Sequence, residues 1–288
     1  MCATMKIHYD CIPCFIRQAL DAVRFAIPDL NIQASVLQKV LIAAGQMDLQ
    51  QSPPIMGQRI HRLVREQSGN SDPYKSVKTQ SNQYALQLYP SLRKQVEKSL
   101  KPMETATRLA IAGNIIDFGI SSAIGHDVID DTIARSLSEI PYGNMDFFMQ
   151  KAASASSILY IGDNAGEIVL DRLLVEQLSE TKITYAVRGG PVINDATFAD
   201  AEESGMTGIV DVIDNGSDAP GTILADCSDA FQQAFKNADL VIAKGQGNYE
   251  TLSDIDKPIV FLLRAKCSVI ARHIGCEMGA PVILAANM

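Results

Sequence analysis

The sequence has no cluster of lysine and arginine. It holds 25 basic against 33 acidic residues, a net charge of -8 and a pI near 5.0. It therefore carries no electrostatic footprint for a nucleic-acid backbone. A phosphate-binding protein of this charge must concentrate positive charge locally, through a metal ion or a few Lys and Arg side chains. No apolar run approaches the ~20 residues of a membrane span. Met1 to Asp10 lack the apolar core of a secretory signal. The six cysteines (Cys2, Cys11, Cys14, Cys227, Cys267 and Cys276) are too few for a disulfide scaffold, so a reduced, cytoplasmic protein is expected. Internal repeats, low-complexity tracts and long linkers are absent as well. What remains is an ordinary globular composition, 47% hydrophobic and 20% charged, long enough for one large domain or two modest ones.

Up to residue 153 the pattern is helical. Phe15, Ile16, Ala19, Leu20, Val23 and Ala26 recur near the helical period and predict a helix over Asp10 to Ile27, with Cys11 and Cys14 in its first turn. Further helices are predicted over Val36 to Leu49, Pro54 to Glu66, Asp72 towards Leu100 with a kink or break at Pro90, and Thr105 to Ile116. No strand is predicted before Ser154. From there six short β-like runs alternate with helical patterns: Ile158–Ile161, Ile183–Val187, Ile209–Ile213, Leu240–Ala243, Ile259–Leu263 and Val282–Leu284. Such alternation implies right-handed βαβ crossovers and a mainly parallel sheet. The expected fold is α/β: an α-helical region over 1–153, then a Rossmann-like sheet flanked by helices over 154–288.

Polar and glycine residues collect where the predicted strands end. The first run closes on Gly162-Asp163-Asn164-Ala165-Gly166-Glu167, the second on Arg188-Gly189-Gly190-Pro191 with Asn194-Asp195 beyond. The third closes on Asp214-Asn215-Gly216, the fourth on Lys244-Gly245-Gln246-Gly247-Asn248 and the fifth on Arg264-Ala265-Lys266-Cys267. In a parallel sheet these ends share one edge, where ligands bind. Each segment also has a plainer reading. Asp163, Asn164 and Asp195 suit helix caps, Asp214-Asn215-Gly216 suits a turn, and Arg188 and Arg264 suit rim ion pairs. Lys244 is harder to explain that way: it closes a buried strand and is followed by glycines that let backbone approach a ligand, which points to an anion. In the helical region Asn114 and Asp117 lie three apart on one helix face among apolar residues. Either they form a structural hydrogen-bond network or they line the same cleft. Cys11-x-x-Cys14 lacks a second such pair and so lacks the four ligands of a structural zinc site. Packing, metal binding and redox chemistry stay open for it.

Taken together, Asp10-Cys11-Ile12-Pro13-Cys14, Gly113-Asn114-Ile115-Ile116-Asp117, Gly162-Asp163-Asn164-Ala165-Gly166-Glu167, Arg188-Gly189-Gly190-Pro191-Val192-Ile193-Asn194-Asp195 and Lys244-Gly245-Gln246-Gly247-Asn248 resemble the motifs of the DUF89 family, the damage-control phosphatases, in the family's order. The prokaryotic branch with an amino-terminal Cys-x-x-Cys is the best match. The resemblance implies a metal-dependent phosphatase of small phosphorylated metabolites, activated by Mn2+, Mg2+, Co2+ or Ni2+. It implies metal ligands at Asp163, Asn164 and Asp195 and phosphate contacts from Lys244, Asn114 and Asp117. It also leaves open a carboxyl methyltransferase using S-adenosylmethionine, and a non-catalytic metabolite- or metal-binding protein would keep the same residues. On the phosphatase reading, two carboxylates, an amide and waters suit Mg2+ or Mn2+. Arg188, Asn164, Gly245, Gly247 and Asn248 then border the substrate, and amides near Ala165 and Gly245 to Gly247 supply further donors. The attacking group is water or Asp163 itself, with water preferred because a ligating carboxylate is a poorer nucleophile.

Overall fold

The computed structural model describes residues 5–114, 126–178 and 181–288. Three helices open the chain: α1 (Cys11–Ala26), α2 (Leu30–Gly45) and α3 (Pro53–Ser68). They close on one another through Phe15, Ala19, Val23, Val36, Val40, Ile60 and Val64. The second begins six residues earlier than the apolar period indicates, because the Asp29 carboxylate accepts from the Asn31 and Ile32 amides and caps it there. Next come α4 (Lys75–Lys98) and α5 (Pro102–Ala112). No break occurs at Pro90. An interior proline costs about 3 kcal/mol, whereas Tyr84, Tyr89, Leu92 and Val96 are buried along one face and contribute roughly 1.5–3 kcal/mol each.

After α6 (His126–Ser136) the sheet begins. Its strands are β1 (Tyr142–Gly143), β2 (Ser157–Ile161), β3 (Lys182–Val187), β4 (Asp211–Asp214), β5 (Leu240–Lys244), β6 (Ile259–Arg264) and β7 (Pro281–Ala286). The helices between them are α7 (Met145–Ser154), α8 (Glu167–Gln177), α9 (Phe198–Glu203), α10 (Asp229–Asn237), α11 (Gly245–Leu252) and α12 (Ser268–Ile274). Two features depart from the sequence expectation. A strand lies ahead of Ser154: β1, only two residues long, pairs in parallel with β7. The last strand, β7, runs antiparallel to β6, while every other pairing is parallel.

The strand order is β1-β7-β6-β5-β2-β3-β4. Counted from β2, the central five follow the order of a doubly wound sheet, and the direction of progression reverses between β2 and β5. The carboxyl ends of those two strands border the crevice where such sheets bind ligands. Helix α8 is buried nearly all round, with Ile168, Val169, Leu170, Leu173, Leu174 and Val175 inaccessible. It is wedged between the sheet and α4 and α5, whose Tyr84, Leu92, Leu109 and Ile111 share one core with Ile158, Ile242 and Val260.

Candidate active site

At the end of β2 the chain turns sharply, and the turn is built for close approach. A Cβ on Gly162 would fall 2.4 Å from the Tyr185 hydroxyl. Gly245, opposite at the end of β5, has φ +78, and a Cβ there would fall 2.0 Å from Asp163 Oδ2. Only glycine at 245 lets the β5 turn pass beside that carboxylate. The loop after β3 folds back onto the same turn. The Ala196 amide donates to the Asp163 carbonyl at 2.8 Å, and the Ala165 amide to the Asn194 carbonyl at 2.9 Å. Asn164 and Asp195 thereby form an antiparallel bridge. Asp163, Asn164 and Asp195 are thus brought together at the switch point.

None of the three is a helix cap. Gly166 holds the N-cap position of α8 with φ +76 and no side-chain cap, and Thr197 with Asp200 forms the capping box of α9. The Ala165 amide, expected as a ligand donor, is spent on the Asn194 carbonyl. Asp163 and Asp195 are both buried, at 9% and 4% exposure. Burial, then the nearby Glu167 and Asp195, push the Asp163 carboxyl well above the usual carboxylate range. Burial also raises Asp195, against the pull of the Arg188 guanidinium.

Arg188 is not a rim residue. It is 2% exposed and braces the acids from beneath: Nε donates to Asp195 Oδ2 at 2.7 Å, and Nη1 to Asn248 Oδ1 at 3.1 Å and Thr222 Oγ1 at 3.3 Å. Its Nη2 lies 3.7 Å from Asp163 Oδ1 and makes no hydrogen bond among the described residues. Asn248 is committed on both sides, since its Nδ2 donates to the Gly162 and Lys244 carbonyls. Asn114 donates to Glu167 Oε2 at 3.0 Å and to Asp163 Oδ2 at 3.4 Å, which joins the helical region to the acidic turn. Asp117 lies outside the described residues. Arg264 pairs with Glu139 and the Gly279 carbonyl, the rim contact that its sequence setting allows.

Lys244 is placed differently from the anion contact that its sequence setting suggests. It is fully buried, and Nζ donates to Glu167 Oε1 at 2.7 Å, Asp171 Oδ1 at 2.5 Å and the Ala110 carbonyl at 2.7 Å. Three partners use its three protons. Asp171 also accepts from the Tyr160 and Tyr185 hydroxyls. Burial lifts the Asp171 carboxyl to about 6 in spite of the lysine. The signal that identifies this pair is present in the sequence: two acids four apart, Glu167 and Asp171, enclosing the apolar run Ile168-Val169-Leu170. Acids in that setting need a buried cation.

The acidic turn opens on a cavity of about 650 Å³ between the sheet edge and helices α1 and α3. Asp163, Asn164, Asp195 and Gly247 line it on the sheet side, and Cys11, Cys14, Arg17 and Gln18 on the helical side. Lys266, at the end of β6, lines it too, and its charge lowers the carboxyls of Asp163, Asp195 and Glu250. Among the residues named for the site from sequence, none occupies the place Lys266 does; its position two residues past Arg264, in the polar run that closes that strand, is the only clue. Among the described residues no three His, Cys, Asp or Glu side chains stand in a geometry to hold an ion alone. A cation here would have two carboxylates and the Asn164 amide oxygen, an oxygen set that fits a hard divalent ion with open positions for water or substrate.

Buried acids at the switch point of a doubly wound sheet, facing a cavity of this size, define a small-molecule enzyme site. Residues 7–282 match the model of the damage-control phosphatase ARMT1-like domain, and the chain belongs to that family. It is 36% identical to a damage-control phosphatase of Archaeoglobus fulgidus, covering 96% of this chain and 97% of the relative. It is 33% identical to a damage-control phosphatase of Pyrococcus horikoshii, covering 97% and 98%. A crystal structure of a DUF89 family protein from P. horikoshii superposes with a TM-score of 0.87 at 32% identity, over 98% of this chain and 99% of that one.

Proposed function

We propose that this chain is a metal-dependent phosphatase of small phosphorylated metabolites. The observation that carries the reading is the joining of Asp163, Asn164 and Asp195 by the β2 turn and the returning β3 loop, at the edge of a cavity that also holds Lys266. The names of the family and of its relatives supply the reaction class. In this reading Asp163, Asn164 and Asp195 hold Mn2+ or Mg2+. When bound, such an ion polarises a phosphoryl oxygen and offsets charge in the loose transition state. Arg188 fixes the Asp195 carboxylate and faces Asp163, so both acids keep one orientation. Lys266, a point charge on a flexible stem at the cavity wall, attracts the phosphoryl dianion. Lys244 acts at one remove: it neutralises Glu167 and Asp171, and Glu167 in turn accepts from Asn164 Nδ2 at 3.0 Å and leaves the Asn164 amide oxygen turned elsewhere. Water is the nucleophile, since both acids are engaged as ligands.

Phosphate release from p-nitrophenyl phosphate and a panel of sugar phosphates, with Mn2+ or with EDTA, tests this directly. Turnover with Mn2+ and none with EDTA is the expected result. Turnover unchanged by EDTA would sink metal dependence, and a phosphoenzyme trapped on Asp163 would overturn water as nucleophile. Gly245→Ala forces a Cβ against Asp163 Oδ2 at a left-handed position. It should weaken Mn2+ binding by roughly 10–100-fold, the usual effect of disturbing a ligand's support. Titration calorimetry with Mn2+ reads this without turnover.

A further inference from the structure

The Cys11-x-x-Cys14 pair has no part in the chemistry above, yet it opens on the same cavity. Both thiols lie in the first turn of α1 and line the wall that faces Asp163 and Asp195. Cys14 is exposed and Cys11 half-buried. Cys267, also half-buried, lines the sheet side, where Gln246 Nε2 donates to its sulfur at 3.7 Å. Glu250 and Cys267 line the same cavity as Cys11 and Cys14, so the four groups stand round one opening. Helical residues three apart have Cα atoms about 5 Å apart, within the roughly 4.4–6.8 Å that a disulfide spans.

We propose that Cys11 and Cys14 form a thiol–disulfide exchange site at the mouth of the cavity, that it takes low-molecular-weight disulfides, and that an adduct on Cys14 restricts access to the acidic turn. The first half stands on the thiols alone; the second rests on the phosphatase reading. Cys14, as thiolate, attacks one sulfur of R–S–S–R. That bond breaks, RS⁻ leaves, and a mixed disulfide remains on Cys14. Cys11 thiolate then attacks the Cys14 sulfur, forms the Cys11–Cys14 bond and expels the second RS⁻. The two thiol protons end on two RSH, and the small disulfide gains the two electrons that the protein loses. Partial desolvation at the cavity wall holds both thiols above their ordinary range, so exchange is slow and follows disulfide concentration.

The probe is oxidised glutathione added to the reduced full-length chain, followed by alkylation and peptide mapping. The expected result is a Cys11–Cys14 link and loss of alkylation at both, with the buried Cys227 unaffected. Cys11→Ser should instead retain glutathione on Cys14, and its phosphate release from p-nitrophenyl phosphate should fall and return with dithiothreitol. Cys11 and Cys14 that stay fully alkylatable would overturn the site, as would glutathione found on Cys267 or Cys276 and not on Cys14 in Cys11→Ser. An adducted Cys11→Ser protein of undiminished activity would overturn the restriction of access. A chain without phosphatase activity still gives the mapping result, so failure of the enzyme reading is distinguishable from failure of the thiol site.

Discussion

Asp163→Asn should lower the turnover number with Mn2+ by roughly 10²–10³-fold, what loss of one preorganised electrostatic group costs, and should at the same time raise the melting temperature of the metal-free protein at pH 7. The two effects have one origin. Folding buries the Asp163 carboxylate beside Glu167 and Asp195 and pushes its pKa well up. A carboxyl whose folded pKa lies above its unfolded one destabilises the fold once pH exceeds the unfolded value of about 4. The neutral amide escapes that cost. The stability gain should therefore be present at pH 7 and disappear as pH falls towards 4, where Asp163 is protonated in both states. Thermal melts in EDTA across that range measure one half, and steady-state kinetics with Mn2+ the other. A variant that loses activity and stability together at pH 7 would show that Asp163 is a structural acid and not a poised ligand.

Lys244→Met should be the most destabilising single change at the site. It leaves Glu167 and Asp171 buried against Ala110 with no counter-charge. Removing one partner of a buried ion pair costs about 3–5 kcal/mol, or roughly 10 °C of melting temperature in a domain of this size. The Lys244 ammonium is held above its ordinary pKa by the two acids, so its stabilisation is fully present across the neutral range and fades only in strong alkali. The loss in the variant should shrink as pH drops through 6, because the Asp171 carboxyl titrates near there even with the lysine in place. Adding Asp171→Asn should recover part of the melting temperature. If Lys244→Met melts normally and only raises KM, the lysine contacts substrate, and the burial seen here does not describe the working enzyme.

Much of the sheet edge is legible in the order of residues alone. Strand ends rich in Gly, Asp and Asn mark such an edge because only that edge gathers them, so Asp163, Asn164 and Asp195 group together from sequence. What a single sequence does not carry is depth. Arg188 and Lys244 look alike there, each a cation at the end of an apolar strand. Both are buried here, and which carboxylates take their protons depends on how α8 turns beneath the sheet. That turn is set by Gly166, whose positive φ aims Glu167 and Asp171 inward. Asp195 reads equally well as a helix cap, since the return of the β3 loop to pair with Asn164 leaves no local pattern. At Pro90 the break is absent for the opposite reason: a strong local signal is overridden by the burial of a whole helix face.

The source of the charges along the chain has a consequence for how the protein is made. Asp163, Glu167, Asp171 and Asp195 all lie on the β2–β3 side of the sheet, and Arg188 is the buried cation from that stretch that pairs with them. Their other cations, Lys244 and Lys266, arrive with β5 and β6, much later in synthesis. A half-translated chain that packed α8 against β2 would bury Glu167 and Asp171 without the lysine that pairs with both. Such a state is electrostatically unfavourable, so the cleft has little reason to close early. On this balance of charge, docking of α8 is expected to become stable only once β5 delivers Lys244 to Glu167 and Asp171, so that the site and its fold are completed together.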